Sequence, residues 1–273
     1  MSDIGKQKIH RISTFSNLDA QNFNEGDIVT IEKLVYKVSR EGVDLVLKRI
    51  DDLCSTDTKF VTFEGGEGSG KTSCMTRIVE YLESRGLSVF RSREPGGSRI
   101  GKSIRSILLD VENKDLSSKA ELFLYLADRA QHMDTVILPA IETHDIVLCD
   151  RFADSTIVYQ GYGRKLYDNS DHLVKLNDYA ISGNWPMLTI WFDVDPEVGL
   201  RRAKSRLILD GTTSSEGRFE EEALEFHRRI REGYKLQAVC NPRRYVTVDA
   251  NKSQDEVFEH VKSLILNIYG LSE

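Results

Sequence analysis

The sequence predicts an α/β fold: a parallel β-sheet with helices on both faces, preceded by a small β-rich N-terminal extension. Three observations lead there. From Lys59 onward, short apolar runs alternate with amphipathic segments of helix length, the pattern of strands joined by crossover helices. The run "MLTIWFDV" is apolar almost throughout, as strands buried on both faces are. A glycine-rich stretch, "FEGGEGSGKT", joins the first of these strands to the first helix.

Taken in order, residues 1–58 stand apart. "MSDIGKQKIHRISTFSNLDAQNFNEGD" is polar and weakly periodic, so it is expected to be irregular. "DIVTIEKLVYKVS" and "VDLVLKRI" alternate apolar and polar residues, which predicts two or three short strands in a meander, with a turn at 40–42. "DDLCSTDT" is a linker, so the main domain spans 59–273. "KFVTFEG" is a buried strand. "GKTSCMTRIVEYLESRG" is a helix with Ile78, Val79 and Leu82 on one face and Gly86 as its stop. "LSVFRS" is a strand and "SRIGKSIRSILLD" a helix. "SSKAELFLYLADRAQHM" is another helix, with a capping box of Ser118 and Glu121 expected at its start. A helix through Leu138 to Thr143 leads into the strand "DIVLCD". After "MLTIWFDV", Asp195 and Pro196 cap and open a helix. A long helix over roughly 218–238, the strand "RRYVTVDA" and a helix over 253–269 complete the chain.

Composition narrows the function. The chain has 273 residues and a formal net charge of -6, so a polynucleotide partner is not expected. Its four cysteines are scattered, with no C-x-x-C pair. That disfavours a zinc site or a disulfide framework and fits a reducing, cytoplasmic setting. No apolar run reaches the about 18 residues a membrane span needs, and no apolar signal core follows the N-terminus.

Gly65-x-x-x-x-Gly70-Lys71-Thr72 is a phosphate-binding loop in its required context, after a strand and before a helix. The candidate triphosphate-binding residues are Gly65, Gly66, Glu67, Gly68, Ser69, Gly70, Lys71, Thr72 and Ser73. Glycines let successive N–H groups converge on phosphate oxygens, and the helix N-terminus adds positive potential. Lys71 reaches the β- and γ-phosphates, and Thr72 offers a hydroxyl to Mg²⁺. The loop by itself does not separate a GTPase, a motor ATPase and a small-molecule kinase. No N-K-x-D base-reading motif is present, which disfavours the GTPase.

The acceptor must then be identified. An alcohol acceptor needs a base, whereas a phosphate monoester is already ionised and needs cationic clamping. Arginine suits that task through its bidentate fork. Three arginines stand out: Arg93 in "SREPGGS", Arg129 in "ADRAQH" and Arg151 in "DRFADST". Asp150 and Arg151 leave one strand end in succession, so their side chains point to opposite sides. Asp150 can face the donor while Arg151 faces the acceptor.

In this order and spacing, "FEGGEGSGKT", "REPGGS", "LADRAQH", "DRFADST" with "YQG", and "DPEVGLRRA" resemble the thymidylate kinase family over roughly 59–270. Residues 1–58 have no counterpart in a typical member. The resemblance implies a P-loop nucleoside-monophosphate-kinase fold, with a five-stranded parallel sheet and a mobile lid. It implies phosphoryl transfer from ATP, with Mg²⁺, to dTMP, in a homodimer. Arg151 would hold the dTMP phosphate, and Arg93, Glu94 and Pro95 would shape that side. Arg129 would bond the thymine edge and Tyr125 would stack on the ring. Ser155, Tyr159 and Gln160 would line the nucleoside pocket. Glu67 would reach the sugar 3′-hydroxyl or a nearby arginine. Thr72 and Asp150 would hold the metal.

Some family members carry a basic residue after the loop acid, where this chain has Gly68. Others place the charge in the lid, and here Arg201, Arg202, Lys204 and Arg206 lead into 207–217. The resemblance is therefore to the bacterial-type subgroup, with Arg206 the catalytic candidate beside Lys71 and Arg151, and Arg202 and Arg218 its rivals. The lid is long, and Gly217 stands where aspartate is common. Two alternatives stay open: a kinase for dUMP, dGMP or dCMP, or a P-loop scaffold whose N-terminal extension binds a partner.

Overall fold

A computed structural model of the chain describes residues 9–12, 28–31, 34–39, 42–45, 59–166, 170–212 and 217–271. The N-terminal strands are β1 (Ile9–Ile12), β2 (Ile28–Ile31), β3 (Leu34–Ser39) and β4 (Gly42–Leu45). β2, β3 and β4 form the expected antiparallel meander. β1 pairs in parallel with β2 and falls in the stretch expected to be irregular. A four-residue strand is too short to show a reliable period. Residues 40 and 41 of the expected turn, and the linker, lie outside the described residues.

The main sheet contains β5 (Phe60–Gly65), β6 (Val89–Arg93), β7 (Ile146–Asp150), β8 (Leu188–Asp193) and β9 (Tyr245–Asp249), in the order β6-β7-β5-β8-β9. All four pairings are parallel, so the five-stranded parallel sheet is present. β5 is buried along its whole length, as a central strand covered on both faces must be. Its side chains alternate between two layers. Val61 and Phe63 pack with Met75, Ile78 and Leu82 of α1 (Lys71–Ser84) and with Val257 and Val261 of the C-terminal helix. Phe60 packs on the opposite face with Met133, Ile137, Phe152 and Trp185.

Register decides where the chemistry lies. Phe63 is level with Asp150, and Asp150 with Arg93. The ends of three strands therefore carry the phosphate loop, Asp150 with Arg151, and the "REPGG" loop to one edge. That carboxyl-terminal edge is where open α/β sheets bind ligands.

Most helices follow the expected order: α2 (Arg99–Leu109), α3 (Ser118–His132), α4 (Leu138–Thr143), α5 (Ala153–Thr156), α6 (Ser170–Ala180), α7 (Pro196–Asp210), α8 (Leu224–Cys240) and α9 (Gln254–Ile268). The cap of α3 differs from expectation. Ser117 accepts from the Ala120 amide, while Glu121 is fully buried and bound by other residues. The long helix begins at Leu224 rather than near 218, because 218–223 form turns. α5, a wider π-helical stretch at Ile157–Gly163 and α6 were not anticipated.

Candidate active site

Two close backbone approaches set the phosphate loop. Gly68 has φ 64°, and a Cβ there would lie 2.0 Å from the Gly199 carbonyl oxygen. A Cβ on Gly199 would in turn lie 2.4 Å from the Glu67 oxygen. A basic side chain at 68 is therefore sterically excluded, and the start of α7 is seated on the loop. α7 then carries Arg206, about two turns further on, to the mouth of the site. Gly70 precedes α1 with φ 86° and no side-chain cap, so the first amides of α1 keep their anion-binding potential.

Lys71 is buried and donates to the Gly65 and Gly66 oxygens, both at 2.9 Å, and to Ser69 Oγ at 3.1 Å. Burial, then the nearby Arg151 charge, draws its ammonium down to about 8. Thr72 Oγ1 donates to Asp150 Oδ2 at 2.5 Å.

Arg151 adopts φ 67°, a left-handed backbone that is strained for a residue other than glycine. Its surroundings hold it there. The Arg151 amide donates to the Phe63 oxygen at 2.9 Å. The next two elements of the turn are tied to Glu64, which accepts from the Phe152 amide at 2.8 Å, the Ser155 amide at 3.2 Å and Ser155 Oγ at 2.6 Å. Burial and the Asp154 charge push the Glu64 carboxyl up to about 7. The Arg151 guanidinium donates to the Gly65 oxygen at 2.8 Å and Glu67 Oε1 at 3.0 Å, and lies 4.9 Å from the centre of the Tyr159 ring.

Glu67 gathers donors from three elements: Arg151, Tyr159 through its hydroxyl at 2.6 Å, and His227 Nδ1 at 3.2 Å. Burial alone would raise its pKa, but the His227 and Tyr159 hydrogen bonds and the Arg151 charge hold the carboxyl well below the usual range.

These groups surround a cavity of about 640 Å³, within the range of small-molecule sites. Lys71, Thr72 and Asp150 lie on its donor side. Arg93, Glu94, Pro95, Arg105 and Arg151 form a wall that is largely cationic. Tyr125, Ser155, Tyr159 and Gln160 also line it, and Arg206 lies at the rim, 3.7 Å from Glu220. The arrangement can hold two phosphorylated groups with a flat ring beyond one of them.

A family model described as thymidylate kinase matches residues 63–261. A thymidylate kinase from Nitratidesulfovibrio vulgaris (strain DSM 19637 / Miyazaki F) is 54% identical over 209 residues, which is 77% of this chain and 96% of that protein. One from Maridesulfovibrio salexigens is 53% identical, over 76% of this chain and 94% of that one. The chain belongs to the thymidylate kinase family. The fold agrees: the crystal structure of thymidylate kinase from Ehrlichia chaffeensis superposes with a TM-score of 0.60 at 32% identity, covering 76% of this chain and 97% of that one.

Against that family, the expected site residues fall into three groups. Glu67, Gly68, Lys71, Thr72, Arg93, Glu94, Pro95, Tyr125, Asp150, Arg151, Ser155, Tyr159, Gln160 and Arg206 all line the cavity. Gly65, Gly66, Ser69, Gly70 and Ser73 belong to the loop without lining it; Gly65 and Gly66 supply the carbonyls that hold Lys71.

Arg129 is the exception. It is 1% exposed: Nε donates to Glu94, Nη1 to Thr156 and Asn177, and Nη2 to the Phe152 oxygen, and the guanidinium forms a buried ion pair with Glu94. It is not among the residues that line the cavity, and it holds Glu94, which does line it, through that buried ion pair. The lid rivals of Arg206 are also committed elsewhere. Arg202 donates to the Ala250 oxygen, and buried Arg218 to the Leu108 oxygen and Glu121. Sequence reasoning missed the cavity-lining Arg91, Lys102 and Arg105. They sit on an ordinary-looking strand and an amphipathic helix, and only folding gathers them. It also missed His227, which belongs to no motif.

Proposed function

We propose that this chain transfers the γ-phosphoryl group of ATP to the phosphate of dTMP, giving dTDP and ADP, within residues 59–273. The observation that carries the reading is that Lys71 and Arg151 face one cavity, from the phosphate loop and from the neighbouring strand end. They stand at the place where donor and acceptor phosphates would meet. ATP lies with its β- and γ-phosphates on the loop amides, the α1 N-terminus and Lys71. The dTMP phosphate is clamped by Arg151, with Arg93 and Arg105 on the same wall. Tyr125 stacks on thymine, and Ser155, Tyr159 and Gln160 bound the nucleoside. Glu67 accepts from the sugar 3′-hydroxyl.

The acceptor oxygen is already ionised, so no side-chain base is needed. Orientation and charge neutralisation carry the rate instead. Lys71, Arg151 and Arg206 spread the negative charge of the transferring group, and closure of α7 and the lid excludes water. The Thr72 hydroxyl and the Asp150 carboxylate are two hard oxygens at the donor side. That is a fitting set for Mg²⁺, which takes few protein ligands and keeps the rest of its shell as phosphate and water. Bound there, Mg²⁺ would neutralise β- and γ-phosphate charge.

We further propose that the enzyme works as a cytoplasmic homodimer. In support, Ile100 and Ile107 of α2 and Phe123 of α3 are exposed apolar side chains, and no helix among the described residues is long and apolar enough to cross a membrane. The test of the reaction is a panel of dTMP, dUMP, dGMP and dCMP with MgATP on the full chain, read by coupled ADP release. dTMP is expected to be the preferred acceptor. Equal or faster turnover of another monophosphate would overturn the substrate assignment.

A further inference from the structure

We propose that His227 is a positioning residue for the acceptor: it fixes the Glu67 carboxylate so that one oxygen, Oε2, faces the sugar 3′-hydroxyl. The proposal rests on the role given to Glu67 above.

His227 lies in the first turn of α8, just beyond the lid, and is 4% exposed. Its ring packs edge-on against Phe226, with centroids 5.4 Å apart at 86°. Its Nδ1 is 3.2 Å from Glu67 Oε2. Glu67 is held as the anion, and an ionised carboxylate only accepts, so Nδ1 carries the proton and donates. Nε2 has no hydrogen-bond partner among the described residues. Among the described residues, Glu67 is therefore the one hydrogen-bond partner of this buried imidazole. A buried polar ring with a nitrogen unmatched costs stability, so this single contact calls for a functional account.

The two oxygens of Glu67 are not equivalent. Oε1 accepts from Arg151 and from the Tyr159 hydroxyl, which uses both of its lone-pair directions. Among the described residues, Oε2 accepts from His227 alone and keeps one direction open. Glu67 lines the main cavity, so a hydroxyl donor from the acceptor sugar is directed to Oε2. His227 holds that oxygen in place from behind. Without it, Oε2 loses its one donor among the described residues, and the carboxylate can rotate about the Oε1 contacts.

The test compares dTMP with its 3′-deoxy analogue as acceptors for the full-length enzyme, read as the ratio of the two kcat/KM values. The variants are His227→Leu and His227→Asn. These two side chains have nearly the same shape, but only Asn can place an N–H where Nδ1 stands. A space-filling role would treat them alike. The expected result is a wild-type preference for dTMP that falls about tenfold in His227→Leu, the scale of one hydrogen bond to a charged group. His227→Asn should retain most of the preference. The loss should appear mainly in KM for dTMP, with the 3′-deoxy analogue little affected.

Equal ratios in wild type, Leu and Asn variants would overturn the proposal while leaving the Glu67 assignment standing. A wild-type enzyme with no preference for the 3′-hydroxyl would overturn both. Should His227→Leu fail to fold, as judged by its melting curve, His227→Gln takes its place. Its amide reaches toward the Nε2 position, so the same loss is expected, and an unchanged ratio contradicts the proposal.

Discussion

Arg151 and Glu67 form an ion pair at 3.0 Å that bridges the end of β7 and the phosphate loop. The neighbour of Arg151 in the chain, Asp150, turns instead to Thr72. Two adjacent residues thus serve opposite sides of one cavity, and the left-handed backbone at Arg151 is what separates them. The strain is held by Glu64 and by the Phe63 carbonyl, so the placement of Arg151 depends on residues that do not themselves line the cavity.

Arg151→Ala should raise KM for dTMP and lower kcat/KM by on the order of 10²-fold, with KM for ATP much less affected. Arg151→Lys should recover little of this, because a point charge does not reproduce the planar fork. Steady-state kinetics with each substrate varied in turn decides it. An unchanged KM for dTMP would remove Arg151 from the acceptor site.

Arg206→Ala should act on turnover. A cation that meets the transferring group only in the transition state lowers kcat by on the order of 10³-fold, with KM for dTMP close to wild type. Arg202→Ala, whose guanidinium is turned to the Ala250 carbonyl, should cost far less. The reverse ranking in kcat would exchange their roles.

Arg129→Met should destabilise the fold by about 3–5 kcal/mol, because it leaves Glu94 buried without its cation. Chemical denaturation measures this. A contact to thymine would predict the opposite pattern: near-normal stability with a raised KM for dTMP.

Lys71 predicts a proton signal. Its ammonium is drawn down to about 8 by burial, and contact with phosphate restores the charged form. ATP binding should therefore take up protons, increasingly so as pH rises through 8. Calorimetry in buffers of different ionisation enthalpy reads the uptake, which should vanish in Lys71→Met. Proton release on binding would contradict the assignment.

Glu64 gives a stability signature. Its folded pKa is raised to about 7 from the ordinary carboxyl value of 4.5, so the folded protein binds the extra proton between those values. The stabilisation is fully present below about 4.5 and is lost as pH rises through 7. Glu64→Gln stays neutral and should flatten the decline in melting temperature across that window. A steeper decline in the variant would show that the anion is the favoured form.

Much of this was legible in the sequence, and the failures have physical causes. Parallel strands read clearly because burial on both faces makes them continuously apolar, as in Leu188–Asp193. The phosphate loop read clearly because its spacing is local. The partners of Arg129 were not legible, because position on a helix face does not reveal what a side chain meets; Asn177 and Glu94 are 48 and 35 residues away. Glu121 looked like a cap because Ser118 stands three residues before it, but it accepts from Gln160, Arg164 and Arg218 instead. Tertiary pairing overrode a local motif there. No element was expected over Ile157–Gly163, where two glycines lower helix propensity; the wider helix found there presents Tyr159 and Gln160 to the cavity.

The central claim is transfer rather than hydrolysis, and the fate of the γ-phosphorus tests it most directly. The full-length chain would be incubated with dTMP, Mg²⁺ and ATP labelled in the γ-phosphoryl group, and the products separated. The account predicts label in dTDP, with ADP in equal amount and none in inorganic phosphate. Label released as phosphate while dTMP stays unmodified would contradict it.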